Sequence, residues 1–380
     1  MPRVSHDATV AAARTLKNHC HHVINTMGSA SVPEAFLFRA NAYYALGQPY
    51  FALADYNIAG SVLNLSGHYQ AKCLQVVQHF PEVQVGTYPS TDSHLHIFVK
   101  PFLSEKCDIK HINSHVGRGI VAKESLPRHG VVMRASDPWL RYPTQERLCS
   151  FCAMPLPERL FACENPQCHE EYCSRDCRTR AKALYHSHVC ENEGFQSLEL
   201  DLFSQMQQAP SQGGTMTDRN AAAAQLLMLR VLAVAAKRRI VPSVQAEVRI
   251  LSGRLTFSPQ ILCESMLHVY ERLVRAMHVA TVISYEEMLG TLARVSANCF
   301  HMPNAVELHL PRSMFNHSCE ANVAEDAQTG DMVTLHEVTA GEELCINYYP
   351  HLKELPYDKR VVELQRRGFD CKCARCQQKR

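Results

Sequence analysis

The chain has 380 residues, a hydrophobic fraction of 46% and a formal net charge of only +2 at pH 7. This length predicts two or three folding units, and the apolar content is sufficient for packed cores. The balanced charge lacks the basic surface that nucleic-acid binding requires, so we expect no direct nucleic-acid partner. No apolar run of about 18 residues and no secretory leader stand out, so we expect neither a membrane span nor secretion.

Apolar residues recur at helical spacing from about Asp7 to Phe80, which predicts a helical region over residues 1–81. Part of this region resembles a tetratricopeptide (TPR) repeat, which needs small residues and aromatics where paired helices meet. The matching residues are Ala40, Tyr43, Ala52, Tyr56 and Ala59. The alternative is an ordinary pair of helical hairpins, and in either case we expect these helices to dock on the rest of the protein.

The remainder of the chain alternates between short strands and helices. Residues 82–147 contain runs such as HLHIFV and GVVMRA, which predict strands. A loop is predicted at 205–218, followed by an Ala/Leu-rich helix at 220–240 and further helices to about Ala297. Short strands return over 298–349. We therefore expect an α+β protein whose strand-rich domain is interrupted by zinc-binding and helical insertions.

Seventeen cysteines in a chain without a secretory leader predict metal ligands rather than disulfides. Four consecutive pairs have the spacing of zinc ligands: Cys149-x2-Cys152, Cys163-x4-Cys168, Cys173-x3-Cys177 and His186-x3-Cys190. Because one zinc ion takes four ligands and each pair supplies two, the segment predicts two zinc sites.

This arrangement, with Tyr172 directly before Cys173, resembles the MYND zinc finger. The resemblance implies interleaved ligands, with one ion held by Cys149, Cys152, Cys173 and Cys177 and the other by Cys163, Cys168, His186 and Cys190. His169 and His188 are the rival ligands, and we interpret them as surface residues because neither stands at a matching position. Complete ligand sets imply a structural finger that needs zinc to fold.

Further motifs surround the finger in a characteristic order. VGRGI stands before it at 116–120, SMFNHSC and GEELCINYY follow at 313–319 and 341–349, and FDCKCARC closes the chain at 369–376. Together these motifs resemble the SET methyltransferase domain. With the finger inserted, residues 95–380 resemble the SET–MYND (SMYD) family, and the N-terminal helices are similar to those of its TPR-like subgroup.

The resemblance implies a β-rich SET domain that is split by the finger and by a helical insertion. The expected segments are 1–81 (TPR-like helical region), 82–148 (SET domain, N-terminal part), 149–190 (MYND finger), 191–297 (helical SET insertion), 298–350 (SET domain, C-terminal catalytic part) and 351–380 (post-SET zinc-binding segment). Many members of the family continue into a helical C-terminal domain over the substrate cleft. Here we expect the N-terminal helices to take that place, or the cleft to be open.

S-adenosylmethionine is the cofactor that the resemblance implies. Tyr348 is the implied catalytic residue beside the methyl-transfer channel, with the adjacent Tyr349 as the alternative. Cofactor contacts are implied for Gly117, Arg118, Gly119, Asn298, Ser313, Asn316, His317, Tyr348 and Phe369. Cys371, Cys373 and Cys376 supply three ligands for a third structural zinc ion, and Cys319 is the natural fourth.

The expected function is S-adenosylmethionine-dependent N-methylation of lysine in histone or non-histone proteins. The alternative is a catalytically inactive adaptor that binds partner peptides through the finger and the helical repeat, and cofactor binding separates the two. We expect a monomer that works on a protein substrate in the cytoplasm, the nucleus or both.

Overall fold

The computed structural model describes residues 6–27, 33–63, 66–113, 116–208, 216–257, 259–277, 283–365 and 369–379. Within these residues the protein is a mixed α+β structure in which several small sheets and a set of packed helices share one large hydrophobic core. A second, smaller core holds the end of the chain around Leu352, Leu364 and Cys376.

The N-terminal region consists of α1 (His6–Met27), α2 (Pro33–Ala45), α3 (Pro49–Val62) and α4 (Ser66–His79). The helical prediction for this region is confirmed, and consecutive helices pack against each other. Ala40, Ala52 and Ala59 are completely buried, as expected for small residues that let helix backbones approach closely. The tetratricopeptide assignment stays a prediction.

The other elements alternate along the chain. The strands are β1 (Val85–Tyr88), β2 (Cys107–Asn113), β3 (Gly117–Ala122), β4 (Val131–Met133), β5 (Leu140–Pro143), β6 (Phe161–Ala162), β7 (Glu171–Tyr172), β8 (Gly253–Thr256), β9 (Cys299–His301), β10 (Ala305–Leu308), β11 (Asn316–His317), β12 (Val323–Glu325), β13 (Met332–Thr334) and β14 (Glu343–Ile346). The remaining helices are α5 (Leu95–Phe98), α6 (Arg175–Ala181), α7 (Ser187–Val189), α8 (Glu193–Gln208), α9 (Met216–Arg238), α10 (Ala246–Arg249), α11 (Pro259–Ile261), α12 (Leu267–Met277), α13 (Tyr285–Asn298), α14 (Tyr357–Gln365) and α15 (Ala374–Gln377).

Three of the sheets have three or four strands, and one of them brings together motifs that are far apart in sequence. One has the strand order β11-β14-β3-β2, and the others have the orders β5-β10-β9 and β12-β13-β4. In the first sheet β11 pairs in parallel with β14, so that His317 lies opposite Ile346. β14 also pairs with β3. The glycine motif VGRGI in β3, the SMFNHSC motif in β11 and the GEELCINYY motif in β14 therefore meet in a single sheet.

Helix α9 forms the centre of the large core. It packs against α8, α13 and β5, and it confirms the helix predicted at 220–240. Its segment Arg219–Arg238 is long and apolar enough to cross a membrane by length and composition. However, 78% of the most apolar 18-residue stretch in this segment is buried inside the protein. Burial against other elements explains this apolar character without a membrane.

One prediction of local structure is wrong, and another is incomplete. HLHIFV is not a strand, because Leu95–Phe98 is helical. Leu95 and Val99 are buried while Ile97 is 51% exposed, which is the spacing of a helix face. The predicted helical insertion also contains the strand β8, which pairs with the distant β1. Of the predicted loop at 205–218, the ends belong to α8 and α9, and 209–215 lie outside the described residues.

The N-terminal helices dock on the helical insertion, as predicted. Helix α3 packs against α12 and α13, and Nδ2 of Asn57 donates to the backbone oxygen of Leu267 and to Glu271, each at 3.3 Å.

Candidate functional site

The first cysteine cluster consists of Cys149, Cys152, Cys173 and Cys177, whose sulfur atoms all lie within 4.8 Å of one another. Helix α6 places the second pair, because Ser174 caps its first turn by accepting the backbone N–H of Cys177. The Sγ atoms of Cys152 and Cys173 are 3.5 Å apart, and those of Cys173 and Cys177 are 3.6 Å apart.

The second cluster consists of Cys163, Cys168, His186 and Cys190. Nε2 of His186 lies 3.2 Å from Sγ of Cys163 and 3.6 Å from Sγ of Cys168. The rival ligands His169 and His188 belong to neither cluster, and both are exposed. The two clusters therefore contain the interleaved residue sets that the family resemblance implies.

Glu170 contacts His186 of the second cluster at the ring nitrogen that does not face the cysteines. Its Oε2 lies 3.1 Å from Nδ1 of His186, and its Oε1 lies 3.6 Å from the buried guanidinium of Arg230 on α9. A carboxylate at Nδ1 favours the tautomer that leaves Nε2 free to bind metal. The finger is thus joined through Glu170 to the helix at the centre of the core.

The third cluster joins Cys319 to Cys371, Cys373 and Cys376 near the end of the chain. Sγ of Cys319 is 3.9 Å from Sγ of Cys371 and 3.6 Å from Sγ of Cys376. This arrangement ties the segment after α14 to the loop that follows β11.

All three clusters fit tetrahedral zinc. With Zn–S bonds of about 2.3 Å, two sulfur ligands of one zinc ion stand roughly 3.8 Å apart, and a sulfur and an imidazole nitrogen stand roughly 3.6 Å apart. The observed sulfur–sulfur distances of 3.4–3.9 Å are close to this value. Burial raises the pKa of the Cys152 and Cys168 thiols, so zinc binding must release protons and acid must weaken it.

The surroundings of the third cluster also fit a bound metal. Arg360 on α14 is completely buried, and its Nη2 lies 3.8 Å from Sγ of Cys376. A buried cation needs a counter-charge. Four thiolates around one zinc ion carry a net charge of about −2, whereas four thiols would carry none.

The described residues enclose a cleft of about 1760 Å³, which we call the main cleft. It lies between α9, β8, β9, the segment 312–325 and the chain after β14, and Asn298, Ser313, Tyr348 and Tyr349 belong to its lining. No described residue of α1–α4 lines it, so these helices do not cover the cleft. A pocket for one small ligand is commonly about 300–1,000 Å³. The main cleft is therefore larger than one small ligand requires.

Tyr348 is anchored at its hydroxyl. The hydroxyl donates to the backbone oxygen of Phe315 at 2.7 Å. Its ring lies 5.2 Å from that of His317 and 6.0 Å from that of Phe369, measured between centroids. Because the hydroxyl proton is engaged, the lone pairs of the oxygen are the part of this group that can serve a ligand.

Asn298 and Ser313 likewise present oxygen atoms. Nδ2 of Asn298 donates to the backbone oxygens of Ser252 and Arg294 at 2.6 and 2.7 Å. The Ser313 hydroxyl lies 2.7 Å from the backbone oxygen of His309, to which it donates. The side-chain donors are thus satisfied within the protein, which leaves acceptors for a ligand.

Asn316 lies against the glycine motif. Its Nδ2 donates to the backbone oxygen of Arg118 at 2.9 Å and to Oε1 of Glu343 at 2.7 Å. A Cβ atom on Gly119 would come within 2.6 Å of both Nδ2 of Asn316 and Oε1 of Glu343. Glycine at this position allows β3 to approach β11, while Gly117 has φ +80° and open space around it.

Arg118 points away from the other predicted cofactor residues. Its guanidinium donates to the backbone oxygens of Thr91 and Ile250 and forms an ion pair with Asp92. The side chain therefore joins β3 to the segments before α5 and before β8. The contribution of Arg118 to a ligand would come from its backbone.

The predicted cofactor residues thus contact one another in part, but only some of them line the main cleft. Asn298, Ser313 and Tyr348 line the main cleft. Of the others, Gly119 of β3 and Asn316 of β11 lie against each other, and His317 and Phe369 contact the ring of Tyr348 without lining the cleft.

Sequence reasoning missed Glu170, Glu343 and Arg360. Glu343 stands within a recognised motif, so its position provides a signal. Glu170 stands between ligand pairs of the finger, which is a weaker signal. Arg360 has no sequence signal, because only the packing of α14 on the third cluster reveals its burial.

The comparisons with known proteins agree with this site. A family model of the SET domain matches residues 117–349. The chain is also similar to a protein named histone-lysine N-methyltransferase SET5 from Vanderwaltozyma polyspora, with 23% identity over 310 residues. That alignment covers 70% of this chain but only 58% of the relative. Because the SET-domain model matches more than half of the chain and spans the motifs from Gly117 to Tyr349, the protein belongs to the SET-domain family.

Proposed function

We propose that the protein is an S-adenosylmethionine-dependent protein-lysine N-methyltransferase. The observation that carries this proposal is Tyr348, whose hydroxyl is anchored on Phe315 at the wall of a cleft that Asn298 and Ser313 also line. The name of the similar protein, a histone-lysine N-methyltransferase, supports the same chemistry. Histones are therefore the first substrate class to test, and non-histone proteins are the second.

The residues of the cleft fit the cofactor in their hydrogen-bonding character. S-adenosylmethionine carries an amino group on its adenine, hydroxyls on its ribose and an ammonium at its amino-acid end, all of which donate hydrogen bonds. Asn298 and Ser313 in the cleft, and Asn316 next to Gly119, have engaged their own donors and present acceptor oxygens, while Tyr348 lines the cleft beside Ser313. We assign cofactor binding to these residues, with the backbone of the glycine motif and the ring of Phe369 completing the site.

Methyl transfer requires a neutral amine, whereas free lysine has a pKa near 10.4 and its deprotonation at pH 7 costs roughly 4–5 kcal/mol. When bound, the cofactor supplies an electrophilic methyl group on a positively charged sulfur. Apolar surroundings beside that charge would lower the pKa of the lysine, and its proton would leave to water. Tyr348 would hold the amine through its oxygen and so orient the nitrogen for attack. We assign this role to Tyr348 rather than Tyr349, because its hydroxyl is fixed by Phe315.

We further propose that the three clusters bind three structural zinc ions, with residues 149–190 forming a finger of the MYND type. The distances between ligand atoms and the buried Arg360 support this assignment. Each cluster has four protein ligands and leaves no coordination position for a catalytic water. The finger and the TPR-like helices are then candidate binding sites for partner peptides, in the manner of the SMYD family.

Two measurements on zinc-loaded protein test the function. Calorimetry should show saturable S-adenosylmethionine binding by the wild type and a large loss of affinity in Asn316→Ala. A radiolabelled methyl-transfer assay on recombinant core histones and on a proteome-derived peptide array should then detect methylated lysine. Tyr348→Phe should lower the rate by about 100-fold, because the amine loses the oxygen that orients it.

Tyr349→Phe is the matched control, since it makes the same chemical change one residue away and should retain the rate within a few fold. If Tyr349→Phe loses the activity and Tyr348→Phe does not, the catalytic assignment is reversed. Folded, zinc-loaded wild type that binds no S-adenosylmethionine would instead support the adaptor function.

A further inference from the structure

The two ring nitrogens of His317 contact two different parts of the site. Nδ1 accepts the backbone N–H of Tyr348 at 3.1 Å, and Nε2 lies 3.4 Å from Sγ of Cys319. Because the Tyr348 N–H can only donate, Nδ1 must be unprotonated, and the ring proton is on Nε2. That proton points towards a sulfur atom of the third cluster, which is an acceptor when it is a thiolate.

The segment from Phe315 to His317 therefore holds Tyr348 at both ends. The backbone oxygen of Phe315 accepts from the Tyr348 hydroxyl, and the imidazole of His317 accepts from the Tyr348 backbone. The parallel pairing of β11 with β14 places His317 opposite Ile346, two residues before Tyr348. The bond to His317 fixes the backbone of Tyr348, and the bond to Phe315 fixes its hydroxyl, so the position of the Tyr348 oxygen depends on the orientation of the His317 ring.

The same ring is packed by the end of the chain. The centroid of Phe369 lies 5.8 Å from that of His317 and 6.0 Å from that of Tyr348. Phe369 precedes the ligand Cys371 by two residues, so the third cluster determines where this aromatic ring can lie. The hydrogen bond to Cys319 and the packing of Phe369 thus orient His317 from the side of the third cluster.

We propose that His317 is a positioning residue that couples metal binding at the third cluster to the orientation of Tyr348. The role of Tyr348 rests on the proposed methyltransferase function, but the coupling itself does not require catalysis to be measured. His317 then acts through its two hydrogen bonds rather than as a cofactor ligand.

Asparagine and glutamine separate the two hydrogen bonds. The amide of His317→Asn takes the position of Nδ1, so it keeps the acceptor for the Tyr348 N–H and loses the donor to Cys319. The amide of His317→Gln reaches the position of Nε2, so it keeps the donor and loses the acceptor. A residue with only a space-filling role would not distinguish these two variants.

The variants are compared by zinc release to a chromophoric chelator and by steady-state kinetics at saturating zinc. We expect His317→Asn to release one of three zinc ions about 10- to 100-fold faster, which is the usual effect of losing such a hydrogen bond next to a metal ligand, and to lose less in kcat than His317→Gln. We expect His317→Gln to retain zinc and to lose about 10- to 100-fold in kcat, with an unchanged KM for the methyl acceptor. His336→Gln is the control, because His336 is exposed and contacts only the backbone of Glu337 among its described partners.

A measurement on the wild type covers the case in which the variants do not fold. The ring signals of ¹³C-labelled tyrosine are recorded before and after chelation of the most labile zinc ion, and Tyr348→Phe assigns the Tyr348 signal. The proposal requires this signal to shift or broaden when the third cluster loses its metal. An unchanged Tyr348 signal, or equal effects of His317→Asn and His317→Gln on zinc and kcat, would overturn it. If the wild type methylates no substrate, the zinc and tyrosine measurements still decide the coupling.

Discussion

Replacing Gly119 with alanine tests how closely β3 must approach the Asn316 side chain. The new Cβ would lie 2.6 Å from Nδ2 of Asn316, 2.6 Å from Oε1 of Glu343 and 3.0 Å from Cγ1 of Ile112. Separations below 3.0 Å are essentially never seen for a Cβ. Either the two polar side chains or the strand itself must therefore move.

The cost follows from the contacts that would be lost. Displacing Asn316 breaks its hydrogen bonds to Arg118 and Glu343. A hydrogen bond contributes about 0.5–1.5 kcal/mol, and inserting a group into a packed site costs about 1–3 kcal/mol. We expect the free energy of unfolding to fall by about 2–6 kcal/mol, from two hydrogen bonds and the insertion, and S-adenosylmethionine binding to weaken, because Asn316 is a proposed cofactor residue.

Urea denaturation and calorimetry on Gly119→Ala measure both effects. Gly117→Ala is the matched control: position 117 has φ +80° but nothing within 4 Å of the new Cβ, so only backbone strain of about 1–2 kcal/mol is expected. In the double variant Gly119→Ala/Asn316→Ala the cost should be less than the sum of the single costs, because one clashing group is gone. The reasoning fails if Gly119→Ala matches the wild type in both stability and cofactor affinity.

Three further predictions concern metal and charge. Arg360→Met should speed zinc release from the third cluster by about 10-fold or more in a chelator assay, with Arg360→Lys intermediate, because the buried counter-charge next to Cys376 is lost. Elemental analysis should find three zinc ions per chain, fewer after dialysis at acidic pH, since the thiolate ligands must be deprotonated to bind. Burial raises the pKa of Glu199 to about 7 from 4.5, so the folded state keeps this proton to higher pH than the unfolded chain, and the free energy of unfolding should decrease by up to about 3 kcal/mol between pH 4.5 and pH 7. Glu199→Gln should remove this decrease, so that urea denaturation at pH 8 shows a more stable variant; equal pH dependence of the two proteins would contradict the assignment.

Features that depend on neighbouring residues could be predicted from the sequence. Ligand pairs two to four residues apart can reach one zinc ion from a single turn, so the four pairs in residues 149–190 stand out without a structure. The apolar spacing of α9 is equally local. HLHIFV failed for the opposite reason, because its first four residues alternate like a strand, while only the exposure of Ile97 between the buried Leu95 and Val99 reveals a helix.

Features that depend on distant residues could not be predicted in the same way. The four-residue ligand sets came from a family resemblance, since spacing shows pairs but not which pairs share an ion. β8 exists because it pairs with β1 more than 150 residues away, and Gly253 gives it room against the backbone of Ala293. Such contacts leave no periodicity in the sequence.

Side chains a few residues apart specify the ligand pairs, the motifs that surround them and the helices with clear periodicity, so these features can be recognised before the chain folds. The folded protein adds that Arg118 binds backbone at 91 and 250 rather than pointing towards a ligand. It also adds that Arg360 is a buried cation beside the third cluster and that His317 links that cluster to Tyr348. These features depend on burial and hydrogen-bond geometry, which arise only when distant segments meet as the sheets and helices pack together.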